Sequence, residues 1–254
     1  MPRDDAGMEP YRPLDVLKPV DDGLWIVDGP IVSMRYVVGH LPFPTRMTII
    51  RLPDGGLWVH SPTVLTDDLK AAVEALGPVR WLIAPNRLHW MALGAWQAAF
   101  PEAVTHAAPK VELKAAEGGF KVDAVLTDTA PAAWTGAIGQ VLVPGRFMTE
   151  AVFFHRTTAT LIVTDLIENF ERDRLRSRFL TLLMWVGGVL HPHGGTPRDL
   201  RLTFLGRGTA VKAAAETMLG WAPRRIILAH GRCIEEDATA VLAHALAWTG
   251  VKGH

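Results

Sequence analysis

Apolar residues come in short, dense runs along this chain, and each run stops at a turn signal. Gly23–Asp28 and Met34–Val38 read as short strands. Arg46–Leu52 and Leu57–His60 flank Pro53-Asp-Gly-Gly56, which predicts a hairpin. Over Thr66–Leu76 the pattern turns amphipathic and helical, with Thr66 as N-cap, Asp67 and Asp68 in the first turn and Gly77-Pro78 as the stop. Val79–Ala84 is almost wholly apolar, the pattern of a strand buried on both faces. Leu93–Phe100 follows as a helix ended by Pro101.

The second half repeats the theme loosely. Gln140–Val143 is a strand, and Pro144-Gly145 turns it. Ala151–His155 and Thr160–Thr164 form a hairpin around Arg156-Thr-Thr-Ala159, with Asp165 closing the second strand. His191-Pro-His-Gly-Gly-Thr-Pro197 is a loop, Thr209–Leu219 a helix, Arg225–Ala229 a strand, His230-Gly231 a sharp turn and Glu235–Thr249 a terminal helix. No low-complexity linker divides the chain. The reading is therefore one α/β domain over residues 1–254, with residues 1–20 as an extended N-terminal segment. Two hairpin-rich halves, each with helices, fit two sheets between helical layers. Phe179–Leu190 is apolar on every side, so that helix needs cover on most sides. It is expected to cap a cavity as a lid, to pack in a homodimer through residues 179–190, or to sit buried in the outer layer.

Composition narrows the function classes. At 254 residues, 49% hydrophobic and 20% charged, the chain reads as globular. Lys plus Arg equals Asp plus Glu at 26 each. That balance argues against nucleic acid or an anionic membrane surface as partner. Cys233 stands alone, which excludes an intrachain disulfide and any cysteine-rich zinc module. The run Phe179–Leu190 is shorter than the roughly 20 residues a spanning helix needs. Met1–Pro13 has no apolar h-region, so the expected compartment is the cytoplasm. No Gly-x-Ser-x-Gly elbow and no phosphate-binding loop ending in Lys-Ser/Thr is present.

The candidate chemistry gathers at strand ends. Leu57–His60 ends in His60, Thr160–Asp165 in Asp165 and Ile226–His230 in His230, while Asn86 and His89 follow Val79–Ala84. Sheets fix the origins of such residues while loops shape the cavity around them. Imidazole and carboxylate groups hold a cation at neutral pH with no displaced pKa. One His, one Asp and one further carboxylate or His suffice for a mononuclear site with an open position. The set His89, Glu150, Asp165 and His230, with His60 in reserve, suits one divalent zinc, iron or manganese ion. His191 and His193 alternate around a proline in a Gly-rich loop and read as loop residues, as does His40. His155 beside its turn reads as structural and Cys233 as a small buried hydrophobe.

Several phrases resemble one superfamily in their order. Val-Thr-Asp165 after its hairpin is similar to a bridging aspartate, and Ala-His230-Gly231 to a final Pro-Gly-His-Gly ligand. Pro144-Gly145-Arg146 stands where Pro-Gly-His is usual, and His60-Ser-Pro62 where Asp-Thr-Gly is usual. Trp81–Gly94 has the frame of the His-x-His-x-Asp-His loop, with Asn86, Leu88, Trp90 and Met91 at the four ligand positions. These features span about residues 24 to 248 and resemble the metallo-β-lactamase superfamily. Leu-Trp-Val-His-Ser-Pro62, Ala-Pro-Asn-x-x-His89, Glu150-Ala-Val-Phe-Phe-His155 and Thr-Leu-Ile-Val-Thr-Asp-Leu166 resemble a narrower branch, defined by a domain of unknown function. The resemblance implies a four-layer α/β/β/α sandwich. It also implies a metal-dependent hydrolase acting on a small molecule, with Asp165 and Asn86 as catalytic residues. Only Asp165 and His230 keep the usual ligand types, so a standard dinuclear site is not expected. One alternative is a vestigial site, with Asn86, Arg146 and Asp165 hydrogen-bonded together, in a ligand-binding or scaffold protein. Another is a metal-dependent oxidoreductase. Leu88, Trp90 and Met91 at the rim favour a small or apolar substrate over a polyanion.

Overall fold

A computed structural model describes residues 7–36, 39–192 and 194–251 of the chain. Val37, Val38 and His193, singled out above, lie outside the described residues, as do residues 1–6 of the N-terminal segment. The first half runs β1 (Lys18–Asp21), β2 (Leu24–Tyr36), β3 (Gly39–Arg51), β4 (Leu57–His60), α1 (Asp67–Leu76), β5 (Val79–Ala84), α2 (Leu93–Ala99), β6 (Val104–Ala107), α3 (Ala115–Gly118) and β7 (Ala124–Val125). The second runs β8 (Ile138–Pro144), β9 (Thr149–His155), β10 (Thr160–Val163), α4 (Arg178–Gly187), α5 (Arg198–Thr203), α6 (Gly208–Gly220), β11 (Arg225–Leu228) and α7 (Ala238–Leu246).

Strands β1 to β7 form a seven-stranded sheet in chain order, and the order β11-β10-β9-β8 forms a four-stranded one. Side-chain alternation shows how they stack, because successive strand residues point to opposite faces. Ala151 and Phe153 of β9, Ile162 of β10 and Ile227 of β11 enter one core with Leu57, Val59, Leu82 and Ile83 of the larger sheet. Val152, Phe154, Leu161, Val163, Ile226 and Leu228 face the other way, onto Val211, Ala215 and Met218 of α6 and Leu242 of α7. Leu69 and Val73 of α1 and Leu93 and Trp96 of α2 join the first core. The layers are therefore helices, sheet, sheet, helices: the four-layer α/β/β/α sandwich. The central strands are buried on both faces, which is why their sequences run apolar without alternation.

Local signals set most element ends. Thr66 Oγ1 accepts the Leu69 N–H at 3.2 Å as the N-cap of α1. The two strands expected at Gly23–Asp28 and Met34–Val38 are one strand, β2, as far as the described residues run. Its ladder with β3 crosses an irregularity between Gly29 and Val32, which takes up the Gly-Pro break. The terminal helix starts at Ala238 rather than Glu235. Ile234 exchanges backbone hydrogen bonds with Ile226 at 2.8 and 2.9 Å, and that extended bridge keeps Glu235 out of the helix.

Helix α4 departs further from expectation. Leu180 and Met184 are buried with Phe43 and Phe170. Phe179, Leu182, Trp185 and Val186 are exposed. No residue of α4 lines either cavity beside the site described below, so the lid expectation is not met. Among the described residues no helix is long and apolar enough to cross a membrane.

Candidate functional site

Asp165 and His230 leave adjacent parallel strands at the same end. Strand β10 pairs with β11 as far as Val163 and Leu228, and both chains then turn. His89 comes from the first sheet, on the loop after β5. Among the described residues, His89, Asp165 and His230 are the one group of three whose ligand atoms converge. The Nε2 atoms of His89 and His230 stand 3.2 Å apart. His89 Nε2 lies 3.3 Å from Asp165 Oδ2, and His230 Nε2 lies 3.3 Å from Asp165 Oδ1.

Each member is held from behind. His230 Nδ1–H donates to the Pro44 carbonyl at 2.7 Å. That bond fixes the tautomer, so neutral His230 offers a lone pair at Nε2. The ring packs edge-on against Phe43 at 5.3 Å. The turn after it depends on Gly231, whose φ is +96° and where an added Cβ would sit 2.2 Å from the Asn169 carbonyl oxygen. Arg46, buried in β3, crosses between the sheets. It donates to the Gly231 carbonyl at 2.8 Å and pairs with Asp28 at 2.7 Å.

Asn86, fully buried, ties the loop to the aspartate. Its Nδ2 donates to Asp165 Oδ2 at 2.6 Å and to Thr164 Oγ1 at 2.9 Å. Its Oδ1 accepts the N–H groups of Leu88 and His89 at 2.8 and 3.3 Å. His89 Nδ1 lies 2.7 Å from Ser61 Oγ. Burial acts to raise the Asp165 pKa, but His89 and His230 outweigh it by charge and hydrogen bonding. The carboxyl is therefore held well below the ordinary carboxylate range.

Not every expected residue joins this cluster. Glu150 is buried behind Asp165, and its oxygens accept the backbone N–H groups of Thr164, Asp165 and Leu166 at 2.8, 3.0 and 2.9 Å. It shapes the Asp165 loop and lies outside the converging set. Burial, then the neighbouring Asp165 charge, push its pKa up to about 8. His60 also lies outside the set. Its ring stacks on Trp58 at 5.5 Å and meets Phe153 edge-on, and its Nε2 has no hydrogen-bond partner. Arg146 is exposed and its guanidinium lies beside Gly206, so the expected Asn86–Arg146–Asp165 cluster reduces to the Asn86–Asp165 bond. His155, read as structural, bonds Thr158 Oγ1 at 2.8 Å in its hairpin.

Ser61 and Glu168 are the site residues that sequence reasoning missed. Strand alternation held a signal for Ser61: Trp58 and His60 share the core face, so the next residue turns toward the rim. Nothing in the sequence marks the Pro44 carbonyl or Glu168.

Two cavities flank the cluster. One, of about 280 Å³, is lined by His89, His230, Ser61, Leu88, Trp90 and Met91, the last three as the loop frame implied. The other, of about 620 Å³, is lined by Asp165, Glu168, Asp199, Tyr36 and Phe147 among others. A larger groove of about 980 Å³ beside α6 and α7 shares no lining residue with either.

Residues 24–176 match the family model described as Domain of unknown function (DUF4336). No curated protein matches the chain. Among solved structures, the chain is similar to the DIM-1 metallo-β-lactamase exposed to ceftazidime. The TM-score is 0.59 at 11% identity, covering 92% of this chain and 96% of that one. Its likeness to a metallo-β-lactamase from Hirschia baltica has a TM-score of 0.58 at 16% identity, covering 92% and 97%. For FIM-1 from Pseudomonas aeruginosa, in its mono-zinc form, the TM-score is 0.55 at 16% identity, covering 93% and 96%. Identities this low establish the fold and nothing finer. With the architecture shared over almost the whole chain and the family model spanning more than half of it, the chain belongs to the DUF4336 family and has the metallo-β-lactamase fold.

Proposed function

We propose that this protein is a metal-dependent hydrolase of small molecules, with one divalent cation held by His89, Asp165 and His230. What supports this reading is the convergence of three ligand atoms at separations of 3.2 to 3.3 Å. A tetrahedral ion with bonds of roughly 2.0–2.1 Å sets its ligand atoms about 3.3 Å apart. Two imidazoles and a carboxylate suit zinc, iron or manganese. The mono-zinc form of FIM-1 is a chain of this fold with one zinc ion. A bound ion would supply Lewis acidity and a water of lowered pKa, and three protein ligands leave a position open for them.

The chain's own residues have distinct parts. The Pro44 carbonyl keeps His230 Nε2 available, and Ser61 Oγ does the same for His89 by accepting its Nδ1–H. Asn86 sets the distance between the His89 loop and Asp165. Leu88, Trp90 and Met91 wall the smaller cavity, where they exclude water and accept an apolar group. Asp165 is therefore a ligand in this reading and Asn86 a positioning residue. The test is a panel of ester, lactone and phosphoester substrates, assayed with and without added zinc, manganese or iron. Metal-dependent turnover lost in Asp165→Ala supports the hydrolase. Ligand-induced thermal shifts with no turnover anywhere in the panel indicate a binding protein instead.

A second reading has its own observation. Ser61 Oγ, His89 and Asp165 stand in line at 2.7 and 3.3 Å, a hydroxyl, a base and an orienting carboxylate. Ser61 lines the smaller cavity and holds a φ of 53°. Here Ser61 Oγ attacks an acyl carbon and its proton passes through His89 to the leaving group. Water then cleaves the acyl-enzyme. Chelator-insensitive turnover with a fluorophosphonate adduct on Ser61 supports this reading. Turnover that survives Ser61→Ala overturns it.

A further inference from the structure

The two cavities beside the cluster differ in chemistry, and Met34 and Leu88 line both. The smaller is mostly apolar. The larger carries Asp165, Glu168 and Asp199 with one cation, Arg35, on its lining. Arg35 is exposed and makes no ion pair among the described residues.

Glu168 is the anomaly in that cavity. It is 5% exposed, yet its carboxylate has no hydrogen bond and no ion pair among the described residues. Its backbone is fixed by paired bonds with Gly195, both 3.0 Å, so the side chain is held in place rather than stranded by a loose loop. Burial, then the charges of Asp165, Asp199 and Glu150, raise its pKa well above the ordinary carboxylate value. A buried carboxyl without a partner is costly and rarely kept without a use. Two aromatic rings, Tyr36 and Phe147, line the same space. Carboxylates beside aromatic faces are the surroundings an alkylammonium group needs, through ion pairing and cation–π contact.

We propose that the 620 Å³ cavity recognises a cationic amino group on the ligand. Glu168 and Asp199 take the charge, and Tyr36 and Phe147 flank it. The rest of the ligand passes Met34 and Leu88 toward the apolar cavity, which carries it across His89, Asp165 and His230. As a statement about substrates this rests on the hydrolase reading, and it assigns that site amine-bearing, partly apolar molecules. As a statement about binding it stands without turnover.

The test compares hexylamine with 1-hexanol by isothermal titration on the full chain, as purified and after chelator treatment. The expected result is binding of the amine at least tenfold tighter than the alcohol, with or without metal. Glu168→Gln and Asp199→Asn should each reduce that preference, and together abolish it, while leaving hexanol affinity unchanged. Glu168→Gln puts a neutral amide of the same shape in place of an unpartnered buried carboxyl and should fold, and Asp199→Asn serves as the independent check. Equal binding of amine and alcohol, or a preference that survives both substitutions, overturns the proposal. So does tight manganese binding lost in Glu168→Gln without any amine preference, which would assign these carboxylates to a second cation. Amine binding with no turnover on any substrate keeps this inference and sinks the hydrolase reading. Turnover of neutral and amine-bearing substrates at equal kcat/KM, with no amine preference in binding, does the reverse.

Discussion

The two sheets deliver their shares of the site by different means. The four-stranded sheet presents Asp165 and His230 straight from the ends of β10 and β11, and buried groups lock both. Glu150 accepts three consecutive backbone N–H groups around Asp165, and Arg46 ties the His230 turn to Asp28. The seven-stranded sheet presents only His89, on a loop, held by side-chain bonds to Asn86 and Ser61. Backbone-anchored ligands are placed by the fold itself. A loop ligand is placed by its neighbours' side chains and moves when they change. The difference explains how three candidate ligand atoms converge although Asn86, Leu88, Trp90 and Met91 occupy the loop positions that the resemblance sets against the usual ligands.

The largest expected effect comes from the locked side. Arg46→Ala leaves Asp28 buried with only Lys18 beside it and frees the Gly231 carbonyl. Breaking such a pair costs about 3–5 kcal/mol, read as a lowered urea midpoint. A loss below about 1 kcal/mol would remove Arg46 from the account of why His230 is fixed. On the loop side, Asn86→Ala should cost less stability but weaken zinc binding roughly 10- to 100-fold, because His89 loses its anchor. Unchanged affinity would mean the loop needs no such tie.

Acid should find the core of the first sheet. Burial, then the nearby His89, lower the His60 pKa to about 3. The unfolded chain takes up that proton below about pH 6.5, and the folded chain does not. Stability is thus fully present above pH 6.5 and falls with pH, by about 2 kcal/mol at pH 5 from this group alone. Urea unfolding at pH 8 and pH 5 measures the slope. His60→Phe should remove that part of the slope, leaving the contributions of His106 and His155, which burial also lowers, and the opposite ones of Glu150 and Glu168, whose raised values add stability as the pH falls. An equal slope in the variant contradicts a neutral buried His60. The smallest effect belongs to the open face of α4. Leu182→Glu should shift stability by less than about 0.5 kcal/mol, because Leu182 is exposed. Leu180→Glu, at a buried position on the same helix, should unfold the protein or come close to it.

Strands whose two faces are both buried were legible in the sequence, because a continuous apolar run has few other readings. Val79–Ala84 is reproduced to the residue as β5. Strand β7 at the sheet edge and β6 beside it were not legible, being short: β6 has Thr105 and His106 among its paired residues, and Asp123 stands directly before β7. In the site, strand-end position pointed to Asp165, His230 and His89 together. It could not separate them from His60 and Glu150, because a strand end fixes where a side chain starts and not which face it takes. His60 follows Trp58 at the two-residue period into the core. Glu150 turns its carboxylate to the backbone of the next strand's end. Arg146 was placed by its position in a motif, and the backbone there carries its guanidinium toward Gly206 instead. The helix at 178–187 looked covered because its run has no polar face. Which of its faces meets the core depends on Phe43 and Phe170, far away in sequence.

Metal stoichiometry tests the central claim most directly. Protein purified without chelator, supplemented with zinc, iron or manganese and then desalted, should hold about one equivalent of one of them. Asp165→Ala and His230→Ala should each hold less than about a tenth, and Glu150→Gln, which replaces no ligand, should retain most of it. Wild-type protein that keeps less than about a tenth of an equivalent after supplementation, while remaining folded, would contradict a metal site at His89, Asp165 and His230.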